Sequence, residues 1–199
     1  MYIEKLCNLV SPPKNPLYTG SYGLRDAVNR KLGVELPSDY YELIEKYGAG
    51  WFGGDFLIYN PFIEDIGINF FNMLNANREY YNLWKQSYEY PNSYMEKYKH
   101  NDKIVYNRYI ADGYGYPFAF YPEENGLIPC CEFNGDFTIY WKTGSKWSIV
   151  AYSDLDIYAE YNMTLTEFIY KILTEDISFG ELYNVMTRKG MCFVQYENS

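Results

Sequence analysis

An α+β domain is predicted: an antiparallel meander of four to six strands packed with helices. Three observations lead there. Short apolar and aromatic runs at 118–121, 127–133, 137–141 and 147–152 follow one another closely, with Asn125-Gly126 and Asn134-Gly135 as two-residue hairpin turns between them. Strong helix-start signals stand on either side of this block, at Leu36-Pro37-Ser38-Asp39-Tyr40 and at Thr164-Leu165-Thr166-Glu167. At 199 residues, 48% hydrophobic and 22% charged, the chain is long and apolar enough to bury one core and too apolar to stay disordered.

The elements follow in order. After a Pro-rich entry at Pro12, Pro13 and Pro16, the segment 24–32 sets Leu24, Ala27, Val28 and Leu32 on one helical face, and Gly33 stops it. In the next helix Pro37 supplies the fixed φ suited to a helix start, Asp39 faces the positive end of the dipole, and Tyr40, Leu43, Ile44 and Tyr47 form the buried stripe. Gly48 and Gly50 end it. Phe56-Leu57-Ile58-Tyr59 before Asn60-Pro61 reads as a strand closed by a turn. The spacing of Phe70, Leu74, Asn77, Tyr81, Trp84 and Tyr88 predicts a long helix ending near Ser87 or Tyr88. The Tyr-rich stretch 88–116 reads as an irregular insertion with a helical turn near 94–98. After the meander, the hydroxyl and carboxylate of Thr164 and Glu167 are placed to cap each other's backbone amides, and Leu165, Phe168, Ile169, Ile172 and Leu173 form an apolar face. A C-terminal extension, 177–199, holds a short helix and an edge strand around Met191-Cys192-Phe193-Val194.

Charge and chemistry narrow the function. With 17 basic and 26 acidic side chains the net charge is −9, which repels nucleic-acid backbones and attracts basic partners. The first residues lack a charged-then-apolar leader and no run approaches the roughly 20 apolar residues of a membrane span, so the expected location is the cytoplasm, with no membrane partner. The 25 tyrosines supply side chains with an apolar body and a polar tip, suited to core margins and to interfaces. Cys7, Cys130, Cys131 and Cys192 are spaced like neither a zinc site nor a disulfide framework; they read as buried free thiols, with Cys130 and Cys131 on opposite faces of a strand.

Catalysis finds no obvious machinery. The one histidine, His100, lies in a polar segment without a nucleophile or a metal partner at ligand spacing. The glycines from Gly48 to Gly54 follow a helix instead of opening one, which is wrong for a phosphate cradle. Glu64-Asp65, Glu123-Glu124 and Asp154 with Asp156 sit at turns and strand ends where nothing signals desolvation, so they read as acidic rims. No catalytic residue, metal site or cofactor is expected.

Taken together, Leu36-Pro37-Ser38-Asp39-Tyr40 with Leu43-Ile44 and Gly48, then Leu127-Ile128-Pro129, Asn134-Gly135-Asp136, Tyr140-Trp141, Trp147-Ser148-Ile149-Val150 and Met163-Thr164-Leu165-Thr166-Glu167-Phe168 resemble the SUKH (Smi/Knr-like) superfamily over a core of about 24–175. The resemblance implies a single domain of that fold and a non-enzymatic role. Bacterial members are typically immunity proteins that bind polymorphic or contact-dependent toxins, many of them nucleases, while fungal relatives regulate cell-wall synthesis. The link Thr143-Gly144-Ser145-Lys146 is shorter and less acidic than the Gly-Asp-Pro-Asp-like turn of close relatives, and 88–116 is an enlargement. On this reading the partner is a cognate toxin domain. The residues expected to meet it are Tyr114, Tyr116, Glu123, Glu124, Asp154 and Asp156, from loops and strand ends held by the sheet.

Overall fold

The computed structural model describes residues 1–54, 56–87, 93–100, 104–111, 117–133, 137–153, 157–174, 176–177 and 192–197. Three helices come first: α1 (Tyr2–Leu9), α2 (Tyr22–Leu32) and α3 (Ser38–Tyr47). The short strands β1 (Gly50–Phe52) and β2 (Phe56–Ile58) lead to α4 (Phe70–Ser87). Then come β3 (Ser93–His100), β4 (Ile104–Ala111), β5 (Leu127–Phe133), β6 (Phe137–Lys142), β7 (Ser148–Ser153), β8 (Ile157–Tyr161), α5 (Leu165–Leu173) and β9 (Phe193–Gln195).

The strands form one sheet of nine in the order β3-β4-β8-β7-β6-β5-β2-β1-β9, and every pairing is antiparallel. The α+β class and its meander are therefore present, as β5 to β8. The meander is displaced by one strand: 118–121 contributes only an isolated bridge, Phe120 with Leu127, and the last strand is β8. The hairpin β3-β4 lies inside the stretch that reads as irregular in sequence, and pairs Tyr98 with Tyr106 and Tyr94 with Ile110. Its Lys, Asn and Glu residues mask a strand pattern, and β4 is secured by a partner about 50 positions further on, Tyr109 opposite Tyr158. Asn134-Gly135 and the 177–191 segment before β9 lie largely outside the described residues. The edge strand expected near Met191–Val194 is β9, shifted slightly toward the C-terminus.

Alternation along the strands gives the sheet two buried faces. One carries Cys130, Ile139, Trp141, Ile149, Ala151, Ala159 and Tyr161 under α1, α3 and α5, forming the larger core. The other carries Leu127, Tyr140, Val150 and Tyr158, covered by Phe118, Phe120 and Tyr81 of α4. Helix α4 begins in the larger core at Phe70 and Leu74 and reaches the smaller one at Tyr81, whose ring stacks on Phe120 at 4.9 Å.

Much of the tyrosine content is core, and a buried hydroxyl is stabilised by finding an acceptor, as three of them do. Tyr40 donates to the Tyr59 carbonyl at 2.6 Å, Tyr47 to the Val10 carbonyl at 2.7 Å and Tyr59 to Glu132 Oε2 at 2.7 Å. Each of these bonds joins elements far apart in sequence. Trp141, 1% exposed, meets Tyr40 edge-on at 4.8 Å and Trp147 at 6.2 Å, locking β6 against α3 and the start of β7.

Two local readings need correcting. A bulge between Pro129 and Cys131 shifts the register of β5, so Cys130 and Cys131 both enter the larger core instead of pointing apart. Both are free, as is Cys192, which is exposed and not buried. In the α5 cap, Thr164 Oγ1 accepts from the Glu167 amide at 3.3 Å, while the Glu167 carboxylate turns to Lys171 Nζ at 2.6 Å. A carboxylate from another helix completes the cap: Asp39 Oδ2 accepts from both the backbone amide and the hydroxyl of Thr166, at 2.9 and 3.1 Å. Asp39 stands in the first turn of α3, as its sequence position predicts, yet serves the positive end of α5 as well. The two helices whose signals bracket the sequence thus pack side by side.

Candidate functional site

Strand register sorts the loops into two groups. Phe133, Phe137, Ser153, Ile157 and Ile110 lie in line across β5, β6, β7, β8 and β4 at one end of the sheet. Leu127, Lys142 and Ser148 mark the opposite end, about 20 Å away along β5. The turn 121–126, with Glu123 and Glu124, leads into Leu127 at this second end, and both glutamates are exposed. Tyr114, Tyr116, Asp154 and Asp156 lie outside the described residues; the strands that precede them, β4 and β7, finish at the first end. Of the six candidates, Glu123 and Glu124 are the two that lie among the described residues.

The second end carries a feature that the reading of the sequence did not anticipate. A groove of about 380 Å³ runs between α2 and the segment joining β2 to α4, walled by Leu24, Ala27 and Val28 on one side and Phe62, Ile63 and Phe71 on the other. The expected apolar face of α2 is only half covered: Val28 and Leu32 are buried, whereas Leu24 is 51% exposed and Ala27 is exposed too. The stripe continues past the core because its N-terminal turn overhangs a gap instead of a neighbour. That uninterrupted 24–32 stripe was the available signal, since an apolar face longer than the packing it meets is left to line a cleft.

The opposite wall is held rigid by two asparagines. Asn60, fully buried, accepts from the Phe62 amide at 2.8 Å and donates to the Tyr18 carbonyl at 3.0 Å. Asn69 Oδ1 accepts from the amides of Phe71 and Asn72 at 3.0 Å, capping α4, and its amide donates to the Ile63 carbonyl. Gly20 completes the support, for a Cβ there would strike the Phe62 ring and the backbone has φ 68°. The groove is thus preformed.

Its borders carry charge. Lys31 Nζ lies 3.8 Å above the Phe71 ring, so this cation is folded onto the wall. Glu64, exposed, belongs to the lining. The turn bearing Glu123 and Glu124 is tied to the same helix, because Tyr121 donates its hydroxyl to the Leu32 carbonyl at 2.8 Å. Near α2, burial pushes the Tyr41 hydroxyl up to about 12, partly opposed by the Arg25 guanidinium, and Tyr41 donates to Asn29 Oδ1 at 2.6 Å. Burial likewise raises Tyr40, Tyr47, Tyr59 and Tyr140, with the Glu132 carboxylate adding to the effect at Tyr59. These phenols are protonated donors at neutral pH.

His100 lies at the end of β3, and the Gly48–Gly54 glycines terminate α3 and shape the β1-β2 hairpin. Gly48 has φ 72°, and a Cβ there would strike the Leu17 carbonyl, leaving no room for a side chain. Among the described residues, no cluster of three His, Cys, Asp or Glu side chains could hold a metal ion, and no helix is long and apolar enough to cross a membrane.

Comparison with known proteins adds the family. The model for SUKH_6, described as SMI1-KNR4 cell-wall, matches residues 26–169, well over half of the chain. The chain belongs to the SUKH superfamily. The matched SUKH span runs from within α2 into α5 and so takes in the groove lining apart from Leu24, the Tyr121 turn and the Asp39–Thr166 link. Neither the curated proteins nor the solved structures hold a significant match to this SUKH chain. SUKH membership supports an immunity-like or SMI1/KNR4-like role, working in general through protein–protein interaction.

Proposed function

We propose that this SUKH protein is a cytoplasmic immunity protein that neutralises a cognate polymorphic or contact-dependent toxin by binding its toxic domain, without catalysis. The observation that carries the reading is the family match over 26–169. A net charge of −9 favours a basic partner such as the substrate groove of a nuclease, because opposite fields steer and speed encounter. The exposure of Glu123 and Glu124 supports a contribution from both to that field.

The test uses the toxic domain encoded beside the gene. Cells that express this protein should survive induction of that domain, and the purified pair should form a tight one-to-one complex. Charge reversal at both glutamates, Glu123→Lys with Glu124→Lys, should mainly slow association and flatten its salt dependence, with dissociation little changed. Absence of binding and of protection would sink the reading. The cell-wall wording of the matching family supports a second one, a regulatory scaffold like the fungal relatives. A stable complex with a cell-wall biosynthetic protein, in cells that a toxin still kills, would favour it.

A further inference from the structure

Segments far apart in sequence meet at an aromatic surface beside the last strand of the sheet. The Tyr196 ring, just past β9, lies 5.9 Å from Trp51 of β1 and 6.2 Å from Tyr18, and all three residues are half-buried. The Tyr196 hydroxyl donates to Asp65 Oδ2 at 2.7 Å, and its backbone amide donates to the Ala49 carbonyl at 2.8 Å. Exposed apolar side chains adjoin these residues: Leu17 precedes Tyr18, Ile66 follows Asp65 and is 78% exposed, and Val194, paired with Trp51 across the strands, is 46% exposed. Scattered exposed apolar residues are ordinary, but three around half-open rings form a contact surface.

The surface is held in place. Tyr18 has a left-handed backbone, φ 60°, which is costly for a residue other than glycine. Two bonds to the carbonyls on either side of that kink fix it: the Ala49 amide donates to Leu17 and Asn60 Nδ2 donates to Tyr18, both at 3.0 Å. Asp65 is fixed as well, because its Oδ1 accepts from the Gly67 amide at 2.9 Å. Tyr18 and Tyr196 lie outside the matched span 26–169, so family membership does not account for the patch.

Ring faces and carboxylates both attract cations. Elsewhere this chain covers rings with its own cations, Lys5 over Tyr2, Arg25 over Tyr41, Lys31 over Phe71 and Lys142 over Phe118. Among the described residues, no Lys or Arg lies over Tyr18, Trp51 or Tyr196, and none comes within 4 Å of the exposed Asp65 carboxylate. Lys14 and Lys46, the basic residues nearest in sequence to Tyr18 and Trp51, are exposed and pair with neither the rings nor Asp65, while Glu64 and Glu197 stand exposed beside Asp65 and Tyr196. A guanidinium suits such a place, since its plane stacks on a ring while its edge meets a carboxylate.

Resting on the reading of this chain as a partner-binding protein, we infer that the patch takes up an arginine side chain from a protein partner. The guanidinium stacks on the Trp51 and Tyr196 rings and pairs with Asp65, and Leu17, Ile66 and Val194 pack around the aliphatic stem.

Two probes test this on the full chain. The first is a labelled peptide with a central Arg between Leu residues, compared with the same peptide carrying citrulline, the uncharged isostere. The Arg peptide should bind in the millimolar range or tighter and shift the amide resonances of 17–18, 51, 65–66 and 194–196, and the citrulline peptide should bind at least about fivefold more weakly. Asp65→Asn removes the charge and keeps a hydrogen-bonding side chain, while Ile66→Lys and Val194→Lys set a cation at exposed positions. In each the fold should survive by circular dichroism while affinity for the Arg peptide falls about fivefold or more. Val194→Ile should retain binding. No binding, equal binding of both peptides, shifts that map elsewhere, or unchanged affinity in the folded variants would overturn the inference.

The second probe is the toxic domain encoded beside the gene, with hydrogen exchange recorded on the complex. Protection of 17–18, 51, 65–66 and 194–196 supports the patch, and a complex that protects other surfaces overturns it while leaving the immunity reading intact. Binding of the Arg peptide at the patch with no binding to the toxic domain does the reverse.

Discussion

Asp39→Ala should be among the most damaging single changes at a half-buried polar position. Asp39 Oδ2 accepts two hydrogen bonds from Thr166, at 2.9 and 3.1 Å, and Thr166 is only 2% exposed. Truncation leaves a buried amide and hydroxyl without their acceptor and removes a negative charge from the start of α5. Bonds to a charged acceptor contribute about 1.5–3 kcal/mol each, but these two converge on one oxygen, so the combined loss is about 2–3 kcal/mol. Asp39→Asn keeps an acceptor and loses the charge, and since charge-assisted bonds are about twice as strong as neutral ones, it should lose about half as much. Urea unfolding reads both as a lower midpoint at constant slope, and for a chain of this size the Ala variant should melt about 5–10 °C lower. In a double-mutant cycle with Thr166→Val the two losses should be clearly less than additive. If Ala and Asn destabilise equally, or both stay within about 0.5 kcal/mol of the parent, the link between α3 and α5 is not an energetic one.

Other outcomes follow from the core and its titratable groups. Trp141→Ala should cost about 3–5 kcal/mol, because the indole is buried against Tyr40 and Trp147; an unchanged melting temperature with lost partner binding would assign Trp141 to an interface instead. Stability should fall above about pH 10, the ordinary phenol value, since Tyr40, Tyr41, Tyr47, Tyr59 and Tyr140 all titrate higher when folded. The sign is set by proton binding: above pH 10 the unfolded chain has lost protons that the folded chain still holds. Each group then removes about 1.4 kcal/mol per pH unit until its folded value is reached, about 12 for Tyr41. A share of the phenolate absorbance should therefore appear only together with the loss of circular dichroism, in one steep alkaline transition, whereas complete phenolate formation before unfolding would contradict the burial of these hydroxyls. A bulky thiol reagent should modify native Cys192 fastest and reach Cys130 and Cys131 only on unfolding, as peptide mapping by mass can check.

What could be read from the chain by itself is what depends on local rules. Turn chemistry and alternation marked β5, β6 and β7, the cap at Thr164 marked α5, the glycines after α3 marked its end, and the 3.6-residue spacing from Phe70 marked α4 to its last turn. The family resemblance came from the same motifs, and the acidic balance came from counting. Tertiary structure decided everything that rests on a partner distant in sequence. The hairpin β3-β4 is completed by β8, and the bulge beside Cys130 turns two cysteines toward one core instead of two faces. Asp39 reaches Thr166 across 127 positions. The groove is the clearest instance: periodicity states that Leu24, Ala27, Val28 and Leu32 share a face, but whether that face is covered depends on where the Phe62 and Phe71 wall stands. A local pattern states what a side chain prefers to meet, and only the packed chain determines whether anything is there to meet it.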